Sequence, residues 1–192
     1  VGTSTRIIQM SQLTDELRNA MSMMTRDVRR ANYNPNSIYC YGNSDCGTDG
    51  SATQLANIFF KDDNSCFTFN LDRNWDGAVD TDNAGAFRHV QRNSPRTDEN
   101  VGVIEMWVGD ESPDFNAGAG GDWIPVTDSG FVNIRAFEVS NDGFSGTVSS
   151  GSGTLTQDIR IIDLSLEGEL ILDPDIHKEI NDRIKVRNDY LL

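Results

Sequence analysis

Between residues 5 and 31 the apolar residues Ile7, Met10, Leu13, Leu17, Met21, Met24, Val28 and Ala31 recur every three or four positions, the spacing of one helical face. A helix with such a stripe must bury it against something else in the chain. At a rise of about 1.5 Å per residue the segment predicts a rod of about 40 Å, well beyond the mean helix of about 11–12 residues. Arg26, Arg29 and Arg30 crowd its last turns, where cations oppose the negative end of the helix dipole. The Asn-Tyr-Asn-Pro run at 32–35 then supplies a stop. Four of the five methionines (Met10, Met21, Met23 and Met24) lie in the rod, which suits adaptable packing against a curved surface better than a cofactor box. The chain opens on Val1 directly into this pattern, so a further segment upstream is expected.

Past Pro35 the period changes from near 3.6 to 2. Candidate strands run over 54–60, 66–71, 86–91, 101–108, 132–140, 144–148 and 158–172, separated by Gly, Asn, Asp and Ser. Alternation is clearest in Cys66-Phe67-Thr68-Phe69-Asn70-Leu71 and in Val132-Asn133-Ile134-Arg135-Ala136-Phe137-Glu138-Val139, as half-buried strands require. Short returns at 141–143 and 149–153 favour antiparallel hairpins over parallel crossovers. After Asp173-Pro174, residues 176–184 read as a short helix or an irregular edge. The expected fold is α+β: a long N-terminal helix, residues 1–34, packed on a twisted antiparallel sheet in a β-rich head, residues 35–192, as one domain with one core.

Charge narrows the range of ligands. Of 192 residues, 30 are acids and 16 are Lys or Arg, a net charge of -14. Aspartate supplies 22 of those acids and asparagine adds 17 residues, so the chain is rich in turn formers. That surface repels phosphate backbones and anionic lipid heads, and neither is expected as a ligand. Cys40, Cys46 and Cys66 are the three cysteines. One disulfide and one remaining thiol is the simplest arithmetic, with the pairing left open, and an oxidising compartment is favoured. A zinc site is disfavoured because no Cys-x2-Cys and no neighbouring histidine accompany them.

The best chemical motif is Asp72-Arg73-Asn74-Trp75-Asp76-Gly77-Ala78-Val79-Asp80. Asp72, Asn74, Asp76 and Asp80 occupy positions 1, 3, 5 and 9 of a calcium loop, with glycine at the sharp turn. Position 12, where a bidentate glutamate belongs, holds Asn83, so an Asp/Asn/Gly turn is the preferred reading and calcium the one candidate metal. Catalysis is not expected. His89 sits in a candidate strand and His177 in a polar segment; the Gly42–Gly47 stretch lacks the context of a serine nucleophile, and Gly118-Ala119-Gly120-Gly121-Asp122 lacks the spacing of a phosphate cradle. Trp107 and Trp123 are expected in the core, leaving Trp75, in the acidic turn, to watch as an exposed aromatic.

Taken in order, several segments resemble type IV pilus minor pilins of the PilW kind. Leu13-Thr14-Asp15-Glu16-Leu17 running to Asp27-Val28-Arg29-Arg30-Ala31-Asn32-Tyr33 is similar to the end of that family's N-terminal helix. Cys66-Phe67-Thr68-Phe69-Asn70-Leu71-Asp72 with Asp76-Gly77, then Ala86-Phe87-Arg88, then Trp123-Ile124-Pro125-Val126-Thr127-Asp128, and last Val186-Arg187-Asn188, resemble its cysteine-led strand and acidic turn, its following strand, its tryptophan-threonine-aspartate stretch and its terminal arginine-asparagine signature. Minor pilins of mannose-sensitive (MSHA-type) pili and minor pseudopilins of the GspJ kind are close relatives of that family.

The resemblance implies a pilin fold whose upstream half-helix, absent here, is processed by prepilin peptidase, anchors the subunit in the inner membrane of a Gram-negative cell, and later packs in a filament core. It implies a non-enzymatic structural subunit in initiation or tip assembly, periplasmic or extracellular, with other major and minor pilins as partners and no nucleic acid or small-molecule substrate. Met10, Leu13, Leu17, Met21, Met24 and Val28 would fix helix to head. A minor pseudopilin of type II secretion is the alternative within the fold; a calcium-dependent adhesin or surface ligand-binding module using Asp72, Asn74, Asp76 and Asp80 is the alternative in another class.

Overall fold

A computed structural model describes residues 3–30, 59–60, 65–70, 84–111, 113–116, 120–150, 153–159 and 161–186. It shows an α+β arrangement, one N-terminal helix packed against antiparallel sheets. The helix α1 spans Thr3–Arg30, with Arg29 and Arg30 in the last turn where the dipole favours them. Among the described residues ten strands follow: β1 (Phe59–Phe60), β2 (Cys66–Asn70), β3 (Ala84–Asn93), β4 (Asn100–Trp107), β5 (Trp123–Pro125), β6 (Val132–Asn141), β7 (Phe144–Ser150), β8 (Gly153–Ile159), β9 (Ile161–Leu170) and β10 (Asp173–Lys185). They form a five-stranded sheet in the order β1-β2-β3-β4-β5, a three-stranded sheet in the order β10-β9-β6, and a two-stranded arm of β7 and β8, with every described pairing antiparallel.

The three-stranded sheet is the seat of the helix. In β9 the burial alternates, with Ile162, Leu164, Leu166, Gly168 and Leu170 turned to the covered face. From α1, Leu13, Leu17, Ala20, Met21, Met24 and Val28 descend onto that face and are buried. Each large apolar side chain among them contributes about 1.5–3 kcal/mol when taken fully out of water. Gly168 permits the close approach: a Cβ there would lie 2.9 Å from Leu17 Cδ2. Thr25 Oγ1–H donates to Asp182 Oδ2 at 2.9 Å, and Glu16 Oε1 accepts the Asp128 N–H at 2.9 Å, fixing the helix lengthwise. Helix and strand β10 run in the same direction, for Arg6 meets Asp173 at 3.7 Å at one end while Thr25 meets Asp182 further along.

The five-stranded sheet closes the same core from the other side. Phe67, Phe69 and Phe87 face inward and meet Phe137 of β6, with ring centroids 5.7 to 6.3 Å apart for Phe67 with each of the other three. Where β4 crosses β6 the backbones nearly touch, since a Cβ on Gly102 would lie 1.9 Å from Ile134 O. His89 Nε2–H donates to that carbonyl at 3.0 Å, and the Gly102 N–H donates to Asn133 Oδ1 at 2.8 Å. This joint ties the two sheets together where they cross.

Four sequence expectations need correction. Met10, expected in the helix-to-head stripe, is 48% exposed, and Ile7 is 65% exposed; the strands beneath the helix give out near Leu170 and Asp173, so the first seated residue is Leu13. The run 158–172 is not one strand: β8 ends at Ile159 and β9 begins at Ile161. Residues 176–184 are not a helix but the body of β10, the edge strand of its sheet, regular from His177 onward with a register shift only between Asp173 and His177. The three-residue strand β5 falls outside every predicted strand.

Candidate functional site

Two surfaces stand out: the unseated end of the helix, and the face of the five-stranded sheet that turns away from the helix. On the first, Ile7, Ile8 and Met10 are exposed at 65%, 58% and 48%. Nothing among the described residues covers them, although the same helix three residues later is completely buried at Leu13. The apolar stripe therefore outruns its seat among the described residues, leaving an exposed apolar helix end. No helix among the described residues is long and apolar enough to cross a membrane.

The second surface is built by register. Cys66, Arg88, Glu105 and Pro125 are cross-strand partners in β2, β3, β4 and β5, so their side chains share one face. Glu105 is clamped from two sides. Arg88 Nε and Nη2 donate to Glu105 Oε2 at 2.9 and 2.7 Å, while Arg92 Nε and Nη2 donate to Oε1 and Oε2 at 2.7 and 2.8 Å. Arg88 is 2% exposed and lies over the Trp123 ring with its guanidinium carbon 4.0 Å from the centroid. A planar, delocalised cation suits this place because it can stack and chelate at once, which an ammonium cannot.

The same cluster holds the described part of the connection between β4 and β5 against the sheet. Arg88 Nη1 donates to Phe115 O at 3.0 Å, Trp107 Nε1 to Glu111 O at 2.9 Å and Trp123 Nε1 to Asp114 O at 2.8 Å. Trp107 and Trp123 pack edge to face at 5.3 Å, and Phe115 closes on Trp123 at 5.4 Å. Together with Ala86 they make a small second core on the outer face, with the loop as its lid. Each tryptophan buries its ring and gives its N–H to a loop carbonyl, the use for which a ring with one polar handle is fitted. The arrangement ties Glu111, Asp114 and Phe115 to the sheet.

The expected site residues divide unevenly between these surfaces. Leu13, Leu17, Met21, Met24 and Val28 lie in the helix seat, and Met10 lies on the exposed end. Cys66 is buried in β2, whereas Cys40 and Cys46 lie outside the described residues. The calcium candidates Asp72, Asn74, Asp76 and Asp80, the stretch 42–47 and Trp75 also lie outside them. Among the described residues no group of three or more His, Cys, Asp or Glu is placed to hold a metal ion. His89 is tied to Ile134 O at the sheet joint, and His177 is exposed on β10. An open depression of about 450 Å³ lies among Glu138, Asp163, Ser165, Asn181 and Arg183.

Sequence reading passed over the Arg88, Arg92, Glu105 and Trp123 cluster. The available signal was charge at same-face positions of apolar strands: Arg88 and Arg92 are four apart in β3, and Glu105 stands between Ile104 and Met106. In a family-model comparison, residues 6–186 match the family described as PpdB, prepilin peptidase-dependent protein B. No curated protein and no solved structure matches the chain.

Proposed function

The chain belongs to the prepilin peptidase-dependent protein B family, a pilus-related family, and from that premise we propose that it is a structural minor pilin of the PilW kind in a type IV pilus. It takes part in initiation or tip assembly and carries no catalytic site. The observation that supports this most directly is the helix whose apolar stripe continues past its own seat at Ile7, Ile8 and Met10. Such an end is matched to neighbouring apolar rods: first the inner membrane, through a segment preceding Val1, then the filament interior. The head, with its excess of acids, stays in water and presents its displayed loop to other major and minor pilins in the periplasm or outside the cell. The family description supports a step before assembly in which prepilin peptidase cleaves the full-length protein.

Photo-crosslinking in cells that make the full-length protein tests the reading. A crosslinking residue at Ile7 or Ile8 should capture other pilins, one at Leu172 on the head should do so less, and loss of the gene should lower pilus number. Absence of pilin adducts together with normal piliation would refute it. A loss of protein secretion with intact pili would instead identify a minor pseudopilin. The calcium-adhesin alternative rests on the 72–80 turn alone, and the missing acid at position 12 argues for a plain turn there.

A further inference from the structure

The connection between β6 and β9 is itself a ribbon. The antiparallel register runs from Val132↔Leu170 to Asn141↔Ile162, and after a short break resumes as Phe144↔Ile159 down to Ser150↔Gly153. Strand β10 accompanies this ribbon only as far as Lys185↔Ile161. Beyond that point β7 and β8 pair only with each other, and neither outer edge has a strand partner among the described residues. Strands of this length at about 3.4 Å per residue reach about 20 Å.

The direction of the arm follows from the helix contacts. Leu17 packs on Gly168, Thr25 bonds Asp182, and Asp182 pairs with Leu164. The ribbon thus travels toward the C-terminal end of α1 and leaves the head on the side opposite Ile7, Ile8 and Met10. Arg183 bonds both Asp142 and Asp163 at the arm's root, holding it in line.

Its composition departs from the rest of the chain. Residues 143–157 contain no charge in a protein of net charge -14. Open edges are ordinarily guarded by charged side chains, as β10 is by Lys178, Glu179, Arg183 and Lys185. The arm carries one charge, Asp158 at its root opposite Ser145, and none of these guards further out, where Gly146, Thr147 and Ser149 are exposed, as is Phe144 at the root. A lone two-stranded hairpin is marginally stable in water, and further strands remedy that. The acidic bodies of two copies repel one another, so the neutral arm is the surface through which they can approach without opposing like charges.

We propose that arms of neighbouring copies of this chain pair edge to edge, β7 of one copy against β8 of the next. Because β7 runs outward and β8 returns, this pairing is antiparallel while both arms point the same way. All the exposed helix ends then stay on one side, and the contact is heterologous, open to a further copy. A β7-to-β7 pairing would set the bodies head to head. The choice between these two registers rests on the filament reading; association through the arm does not.

Sedimentation of the isolated chain over a concentration series, with amide exchange of β7 and β8, tests the proposal. The wild type should grow beyond dimers while arm amides become protected. Thr147→Lys, and separately Thr154→Glu, should each raise the concentration needed about tenfold, with the melting temperature of the monomer unchanged. The double variant should regain association, because the positive charge placed on β7 of one copy then faces the negative charge placed on β8 of the next. A monomer at every concentration, or arm exchange independent of concentration, overturns the proposal. A closed dimer that the double variant does not restore overturns the side-by-side order. Neither result bears on pilin crosslinking at Ile7, so the two readings fail separately.

Discussion

Replacing Gly102 by alanine loads the joint between the two sheets. The added methyl would sit 1.9 Å from Ile134 O and 2.4 Å from His89 Nε2, whereas a Cβ keeps at least 3.0 Å from such atoms. One obstacle is backbone, so β4 and β6 must part by about an ångström. Overpacking of this kind costs about 1–3 kcal/mol. Parting also stretches the Gly102 N–H bond to Asn133 and the His89 bond to Ile134, now 2.8 and 3.0 Å, each costing about 1 kcal/mol or more if left unmade in a buried place. The expected loss is about 4 kcal/mol, a large share of the roughly 5–15 kcal/mol that a domain possesses. For a chain of this size that lowers the melting midpoint by about 8–16 °C. Urea unfolding, with the slope unchanged, reads the same quantity. Gly168→Ala is the control: its closest contact would be the far end of the Leu17 side chain, at 2.9 Å, which can turn aside, so a loss below about 1.5 kcal/mol is expected. Equal losses for the two variants, or a loss under about 1 kcal/mol for Gly102→Ala, would refute the claim that β4 and β6 are locked through their backbones.

Arg88→Ala leaves the buried Glu105 carboxylate to Arg92 alone and releases a loop carbonyl, so about 1.5–3 kcal/mol should be lost, with faster amide exchange at 114–116. Arg88→Lys should recover little of this, since it restores charge without the fork or the stack on Trp123. Leu17→Ala should cost about 2–5 kcal/mol in urea unfolding, whereas Met10→Ala should stay within about 0.5 kcal/mol and show its effect only as weaker capture of pilins by a probe at Ile7. Calcium should leave the melting temperature unchanged. A rise that disappears in Asp76→Ala would instead establish the metal-dependent alternative.

The helix was legible because its stripe and its seat obey the same period over Leu13, Leu17, Met21, Met24 and Val28. Its free end was not, because periodicity records which residues could share a face and not where the opposing sheet stops. In β10 the isoleucines 176, 180 and 184 stand four apart, a spacing that fits one face of a helix and, being even, one face of a strand; the pattern alone could not choose. Strand β5 is three residues long and contains Pro125, tolerated because β5 ends the sheet, with β4 as its only neighbour among the described residues. The arginine clamp depends on the register between β3 and β4, and a lone arginine in a strand pattern does not declare its partner. The arm was half legible: its hairpin return was visible near 149–153, but its projection beyond β10 is set by where a strand about thirty residues later ends.

The doubly held Glu105 has a consequence in brine. Dissolved ions weaken attractions between charges they can surround, and both Arg6 with Asp173 and Arg183 with Asp163 stand in reach of them, with side chains a third or more exposed. Arg88 and Glu105 are exposed by only 2% and 4% and lie beneath the lid. Rising ionic strength should therefore slacken the two extremities of the head, where the helix leaves and where the ribbon projects, while its middle keeps its grip. A subunit moved from dilute medium into concentrated salt would yield first at those two ends and last around Glu105.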